Sequence, residues 1–436
     1  MEQQEPIYDL IGIGTGPFNL SLAALLDDIE EVDALFFEQK SAFEWHPGML
    51  IEGTKMQVPF LADLVTMADP TNPYSFLNYI SKHDRMYQFY FLQRLDIPRR
   101  EYNDYCRWVA DQLSSCRFGK RVTGIRHVKD NGDTFEVDVL DIETGNSALY
   151  RTRNLVMGTG SVPSMPQSFQ GLPETDVFHT ADFLINKDAC LNKKSITVVG
   201  SGQSAAETFR DLLQEQRRYG FQLDWITRSP GFSSMEESKL SLEHFSPDYV
   251  NYFYSLPQEQ KDEIFATQGL YYKGISNHTV NDIYNLLYEY SVGGEELPVG
   301  LQVLTEVRDV HAKADGGYEL DCYHYQKGKK YTHETDVIIA ATGYKPYVPD
   351  FVHYMEDFLV WDDQGRYEVT EDYRLKKNAD TPNEIFVHSG ISHTHGVGST
   401  NLGLSIYRNK LIINQLTGRE VFPLSEKNIF QSFSVQ

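Results

Sequence analysis

Residues 14–19, Gly14-Thr-Gly16-Pro17-Phe-Asn19, and residues 200–205, Gly200-Ser-Gly202-Gln203-Ser204-Ala205, present the same chemical device twice. Two glycines permit a tight turn after an apolar run and let backbone N–H groups approach a pyrophosphate where a helix begins. In the first copy Asn19 stands where a third glycine usually does; in the second, Ala205 fills that place. The residue ending the next strand also differs. Glu38 follows the first turn, where a carboxylate would hold an adenosine ribose, whereas Arg228 follows the second, where a guanidinium would bind the 2′-phosphate that an acid repels. Two dinucleotide sites in one chain imply electron transfer between two cofactors, most simply NADPH reducing a bound FAD.

Such turns need a parallel sheet behind them. Residues 7–20 read as a buried strand, a glycine turn and a helix running to about Leu26; residues 196–207 repeat the pattern. Two further apolar strands, 154–163 and 336–346, each close in Thr-Gly, the second at Thr342-Gly343, where the chain is expected to return to the first sheet. The fold class expected is α/β, with two Rossmann-like dinucleotide-binding domains. An FAD domain of residues 1–192 and 333–436 is expected to be interrupted by an NADPH domain of residues 193–332, whose segment from about 236 to 296 is rich in helix-forming polar and aromatic residues.

Composition narrows the partners. The chain has 436 residues, and its 62 acids against 39 bases give a formal charge of −23, which argues against nucleic acid; solubility is the first reading of that charge, and attraction of a cationic substrate the second. No apolar run is long enough to span a bilayer, and the N-terminus leaves no room for a secretion signal. Four scattered cysteines form no paired motif, so reduced thiols and a cytoplasmic location are expected. His393 and His395 lie two apart without a supporting acid or cysteine, so no metal site is expected. The aromatic run 86–94, MYQFYFLQR, is read as core in preference to interface. Residues 55–76 are apolar yet broken by Pro59, Pro70 and Pro73, so they form a loop that should cover something.

The blocks GIGTGPFNLSLAALL, FFEQKSAFEWHPGM, MQVPFLADLV, VVGSGQSAAE, IIAATGY and HTHGVGSTNLGLSIYRN together resemble the flavin-dependent N-hydroxylating monooxygenases of siderophore biosynthesis, over essentially the whole chain. The resemblance implies that NADPH reduces FAD, that O2 adds to give a C4a-hydroperoxyflavin, and that a terminal amine nitrogen takes the distal oxygen. It implies that Trp45 and His46 lie beside the isoalloxazine with Met56 and Gln57 at its face, that the helical segment from about 236 to 296 lines the substrate site, and that Asn277 reaches both NADP and substrate. Core packing for Trp45 and Met56, and a helix cap for Asn277, stay open as alternatives. Gln57 and Asn277 are the catalytic candidates. Gly396 is counted with the cofactor loops, before a helix that ends at Gly418 and whose N-terminus could stabilise reduced flavin.

One departure from the family pattern concerns the substrate. The lysine and ornithine hydroxylases usually read Phe-Leu-Lys-Asp-Leu, with the lysine on the substrate carboxylate, and Leu-Ser near the C-terminal helix. Here the residues are Phe60-Leu61-Ala62-Asp63-Leu64 and Leu402-Gly403. Both changes suit a short diamine, putrescine or cadaverine, for a hydroxamate-type siderophore. Lysine N6- or ornithine N5-hydroxylation is the alternative, and a redox sensor without turnover a further one. Asp63 stays outside the catalytic set because it could cap a turn. The resemblance also implies a homodimer or homotetramer.

Overall fold

The structure is a computed structural model that describes residues 6–129, 132–294 and 296–435. Strand β1 (Ile7–Ile13) becomes fully buried over its last four residues, which places it inside a sheet. Its parallel neighbours are β2 (Ala34–Glu38), itself paired to β3 (Cys116–Phe118), and β6 (Ser147–Met157). Antiparallel β4 (Lys120–Val128) and β5 (Thr134–Asp141) extend the sheet beyond β6. A seventh strand, Ile385–Val387, also pairs with β6.

Helix α1 (Pro17–Leu26) is buried from Asn19 to Leu26, because other helices cover it as well as the sheet. After β2 the chain makes the loop 55–76, then α2 (Phe76–Lys82), α3 (Met86–Leu92) and α4 (Arg99–Ala110). Helix α4 packs on α1, with Tyr102, Tyr105, Cys106 and Val109 turned into the core.

A short ribbon strand β7 (Ser161–Pro163) leads to β8 (Val177–His179), α5 (Phe183–Cys190), β9 (Ser195–Val199), α6 (Gln203–Tyr219) and β10 (Gln222–Ile226). Helices α7 (Pro247–Ser255), α8 (Gln258–Thr267) and α9 (Asn277–Tyr290) follow, then β11 (Val299–Gln302). An antiparallel trio, β12 (Thr305–Ala312), β13 (Tyr318–His324) and β14 (Lys329–Thr335), precedes β15 (Val337–Ala340). The second sheet is parallel, in the order β11-β10-β9-β15-β8. Strand β16 (Tyr344–Pro346) pairs back on β7, and α10 (Ser392–His395) and α11 (Leu402–Thr417) complete the chain.

This organisation corrects the expected boundaries. Strands β8 and β15 belong to the second sheet, although 193–332 leaves both outside and the 336–346 strand was expected beside the first. The cause is close packing: a β-carbon on Gly200 would sit 2.1 Å from the Ala341 carbonyl, so glycine lets β15 lie against the second turn. The helical segment also divides. Helix α9 packs on α6, while α7 and α8 pack on α10. The aromatic run expected in the core forms α3, none of whose residues is buried.

Candidate active site

At the first turn Gly14 has φ +81°, and a β-carbon there would approach the Gly158 carbonyl to 2.7 Å. Gly16 caps α1 with open space where a side chain would be, and Pro17 occupies the first helical turn, where its missing N–H costs nothing. The helix start has no side-chain cap and no acid in its first turn. Glu38 closes the mouth: one carboxylate oxygen accepts from Thr15 N at 2.9 Å and the other from Lys40 N at 3.0 Å. This open, acid-free helix start with a carboxylate at the end of the neighbouring strand fits the pyrophosphate and ribose of FAD.

Asn19 has a different role from the one expected. It is fully buried, and its Nδ2 donates to the Gly14 carbonyl at 2.7 Å while crowding Gly158. It locks the turn from behind, and its Oδ1 is buried without a hydrogen-bond partner.

The second turn fits a dinucleotide in the same way. Gly200 has φ +144°, Gly202 caps α6, and no acid lies in the first turn of that helix. Ser204 is half-buried there, and Arg228 is exposed just beyond β10. Gln203 turns away from the phosphate position: its Oε1 accepts from Ser276 N at 2.7 Å, and its Nε2 donates to Glu207 and Thr279. It ties the start of α9 to the turn.

Between the turns lies an aromatic wall. His46 adopts a left-handed backbone (φ 49°), unusual for a residue with a side chain and a mark of a constrained site. Its ring packs edge-on against Trp45 and Tyr344, and Tyr344 packs edge-on against His179. His46 is open to solvent at the mouth, yet the crowding of protein around it, then Arg99 and Lys40, pushes its pKa down to about 4. It is therefore neutral at pH 7. Thr342 and Gly343 serve this wall indirectly: Thr342 Oγ1 donates to the Ser164 carbonyl, and the Gly343 carbonyl accepts from Ser164 N and His179 Nε2, which fixes the ribbon before Tyr344.

The loop at 55–76 rests on α1 and α4. Ser21 Oγ donates to the Leu64 carbonyl, Tyr105 accepts from Leu64 N and donates to the Tyr74 carbonyl, and Phe60 packs on Phe76 and Phe89. Asp63 is a turn cap. It accepts from Val65 N, Thr66 N, Thr66 Oγ1 and Phe76 N at 2.6–2.9 Å. Burial raises its pKa, and these four bonds oppose the shift. Met56 is also structural, 7% exposed in the core cluster around α1 and α4, whereas Trp45 is half-buried at the edge of that cluster.

Gln57 is exposed and reaches across a crevice, its Nε2 3.7 Å from Met235 Sδ. Lys55 Nζ lies 2.7 Å from His278 Nε2 on the same side. Asn277, exposed in the first turn of α9, donates from Nδ2 to Glu237 at 3.2 Å, while Ser276 is the actual cap, accepting from Thr279 N. Gln57 and Asn277 thus meet the same segment, 235–237. Behind them Arg99 makes a two-pronged ion pair with Glu207 at 2.8 and 2.9 Å, joining α4 to α6. Sequence reasoning missed Arg99, Glu207, Met235, Glu237 and His278.

Ala62 and Gly403 come together: a β-carbon on Gly403 would lie 3.6 Å from that of Ala62. Gly396 does not share this cleft. It is buried under the Phe253 ring, and its positive φ makes the turn after α10. His393 and His395 are buried, with ring nitrogens on the Tyr367 and Glu371 carbonyls, and no cluster of metal-ligating side chains occurs among the described residues. No helix among them is long and apolar enough to cross a membrane.

Two sheets, one mixed and one parallel, each with an open glycine turn at a parallel strand, define a two-dinucleotide oxidoreductase. The sequence pattern of the L-lysine 6-monooxygenase/L-ornithine 5-monooxygenase family matches residues 6–346, and the chain belongs to that family. It is 42% identical to the rhizobactin siderophore biosynthesis protein RhbE of Rhizobium meliloti, covering 98% of this chain and 95% of that one. A putrescine N-hydroxylase of Shewanella oneidensis is 39% identical, over 99% of this chain and 85% of its own. The crystal structure of DfoA bound to FAD, the desferrioxamine-pathway cadaverine monooxygenase of Erwinia amylovora, superposes with a TM-score of 0.95 at 40% identity, covering 99% of both chains.

Proposed function

We propose that this chain is an FAD- and NADPH-dependent monooxygenase that hydroxylates one terminal amine of a short aliphatic diamine, putrescine or cadaverine, in siderophore biosynthesis. The observation that carries the reading is the pairing of Ala62 with Gly403. Where the amino-acid hydroxylases of the family set a lysine and a serine toward the substrate carboxylate, the Ala62 methyl group faces the bare backbone of Gly403. A carboxylate enclosed there would forfeit its charge-assisted partner, roughly 1.5–3 kcal/mol and at least about tenfold in affinity. Similarity to a putrescine N-hydroxylase and to a cadaverine monooxygenase supports the same reading.

The residues take these roles. The turn at Gly14 and Gly16 with Glu38 would hold the FAD pyrophosphate and ribose, and Trp45, His46 and Gln57 would serve its ring. The turn at Gly200 and Gly202 with Arg228 would hold NADPH, and Asn277 would serve the nicotinamide and the amine. Bound FAD supplies two-electron chemistry that takes hydride from NADPH and delivers one atom of O2 to nitrogen, the other leaving as water. The protein must present the attacking nitrogen unprotonated, although a free alkyl amine has a pKa of about 10.4. Apolar walls from the loop at 55–76 disfavour the ammonium there and supply the free base by desolvation.

The chain is further proposed to act in the cytoplasm, supported by four buried, unpaired cysteines. It is proposed to self-associate through the exposed aromatic face of α3.

The test is hydroxylamine formation, with NADPH and O2 consumption, on putrescine, cadaverine, lysine and ornithine at matched concentrations. A diamine is expected to win. Preference for lysine or ornithine would overturn the reading of Ala62 and leave the cofactor chemistry standing.

A further inference from the structure

A diamine that gives up the proton at its reacting end keeps an ammonium at the other, and that charge needs a partner. We propose that Glu237 holds the distal ammonium and sets the preference for diamines over monoamines and amino acids; the inference rests on the diamine reading above.

The backbone of this segment is firmly placed. Ile275 N donates to the Ser233 carbonyl at 3.0 Å, Met235 N to the Ile275 carbonyl at 2.8 Å, and Glu236 N to the Leu270 carbonyl at 3.1 Å. Gly274 permits this close approach, since a β-carbon there would lie 2.6 Å from Met235 N. Glu237 therefore emerges beside the start of α9, two residues from the Met235 sulfur that faces Gln57.

The charge pattern around it is one-sided. Glu237 Oε2 accepts from Asn277 Nδ2 at 3.2 Å and Asn277 N at 3.5 Å. Among the described residues no Lys, Arg or His nitrogen lies within 4 Å of its carboxylate: Lys55 pairs with Asp96, Arg99 with Glu207 and Arg210 with Asp282, while Lys239 and Lys273 are exposed and form no ion pair with it. The adjacent Glu236 turns back onto Ser238 N at 2.9 Å. Glu237 is thus a half-buried carboxylate, oriented by an amide and lacking a cation, in the crevice that also holds Gln57 and Asn277. Ala62 offers a substrate no cation, and Glu237 offers it an anion. An ammonium gains a partner, and the carboxylate of an amino acid meets repulsion.

The experiment compares kcat and KM for putrescine or cadaverine with those for butylamine or pentylamine, in the FAD-loaded wild type and the E237Q and E237D variants. E237Q is expected to lower the diamine-to-monoamine ratio of kcat/KM by roughly 10- to 100-fold, mainly through KM. E237D keeps the charge and should retain most of that ratio. An unchanged ratio in E237Q, with a wild type that prefers diamines, overturns the role of Glu237 and spares the proposed function. Equal loss on diamine and monoamine identifies a structural residue and also overturns it. A wild type with no preference for diamines overturns both.

Discussion

Ala62 and Gly403 lie opposite each other, their β-positions 3.6 Å apart, although 341 positions separate them in the chain (403 minus 62). Replacing Ala62 by lysine restores a cation at this point. A62K should lower kcat/KM for the diamine by about tenfold or more and raise it for lysine or ornithine. The double variant with G403S should bring less than an additive gain. A β-carbon at 403 lies 3.2 Å from Asn401 Oδ1, the cap of α11, so the serine costs about 1 kcal/mol of helix stability. Steady-state kinetics on the four amines, with urea midpoints for both variants, decide the matter; a diamine preference untouched by A62K removes Ala62 from the substrate site.

The Arg99–Glu207 pair joins the two sheets' helices, with side chains only 12% and 2% exposed. Removing one partner leaves the other charge buried without compensation, which costs about 3 kcal/mol. E207A should therefore lower the urea midpoint markedly. It should also raise the KM for NADPH, because Glu207 accepts from Gln203, which ties α9 to the second turn. A midpoint within error of wild type would mean that this pair does not hold the two halves together.

What the sequence reveals depends on how local the physics is. Gly14, Gly16, Gly200 and Gly202 are legible because turn, strand and helix start are neighbours in the chain. Asn401 and Gly418 mark the two ends of α11 for the same reason. Asp63 shows the same locality as a turn cap: three of its four bonds go to residues within three positions. Arg99 with Glu207, Gln203 with Ser276 and Glu237 with Asn277 carry no local signature, since each pair spans dozens of residues and depends on how two sheets meet. Asn19 and Met56 show another limit. A motif locates a residue on the chain, but whether the side chain faces ligand or core depends on neighbours, here Gly158 and α4, brought in from afar.

The pH dependence of stability should show His395. This ring is fully buried, stacked on Tyr373, and its pKa is pushed down to about 3 by burial and then by Arg408. Its unfolded value is about 6.5. The fold therefore binds fewer protons than the unfolded chain between those values, and stability is complete above pH 6.5 and falls as pH drops toward 3. Each pH unit inside that window costs ~1.4 kcal/mol per such group. H395F keeps the stacking and removes the titration, so its urea midpoint should vary less with pH between 5 and 6.5 than that of wild type. Parallel pH profiles for the two proteins would contradict the assignment.

Helix α3 presents Tyr87, Tyr90 and Phe91 at 78%, 66% and 71% exposure, beside a groove of about 350 Å3 lined by Met86, Phe89, Tyr90, Gln93, Arg94 and Leu95. Residues 86–93 carry no charge in a chain of formal charge −23, so this is a face on which two copies can meet with little repulsion. Rings standing beside a groove also suit an isologous contact, each copy filling the other's groove. Apolarity alone could not separate this helix from core, because core and interface draw on the same residues; the difference lies in Phe89, the ring that packs inward on Phe60 and Phe76. F91E should reduce the particle to the 50.0 kDa of one chain in size-exclusion chromatography with light scattering. The same variant should keep its FAD, since α3 contributes nothing to either glycine turn. A larger particle that survives F91E and Y90E would move the contact elsewhere on the molecule.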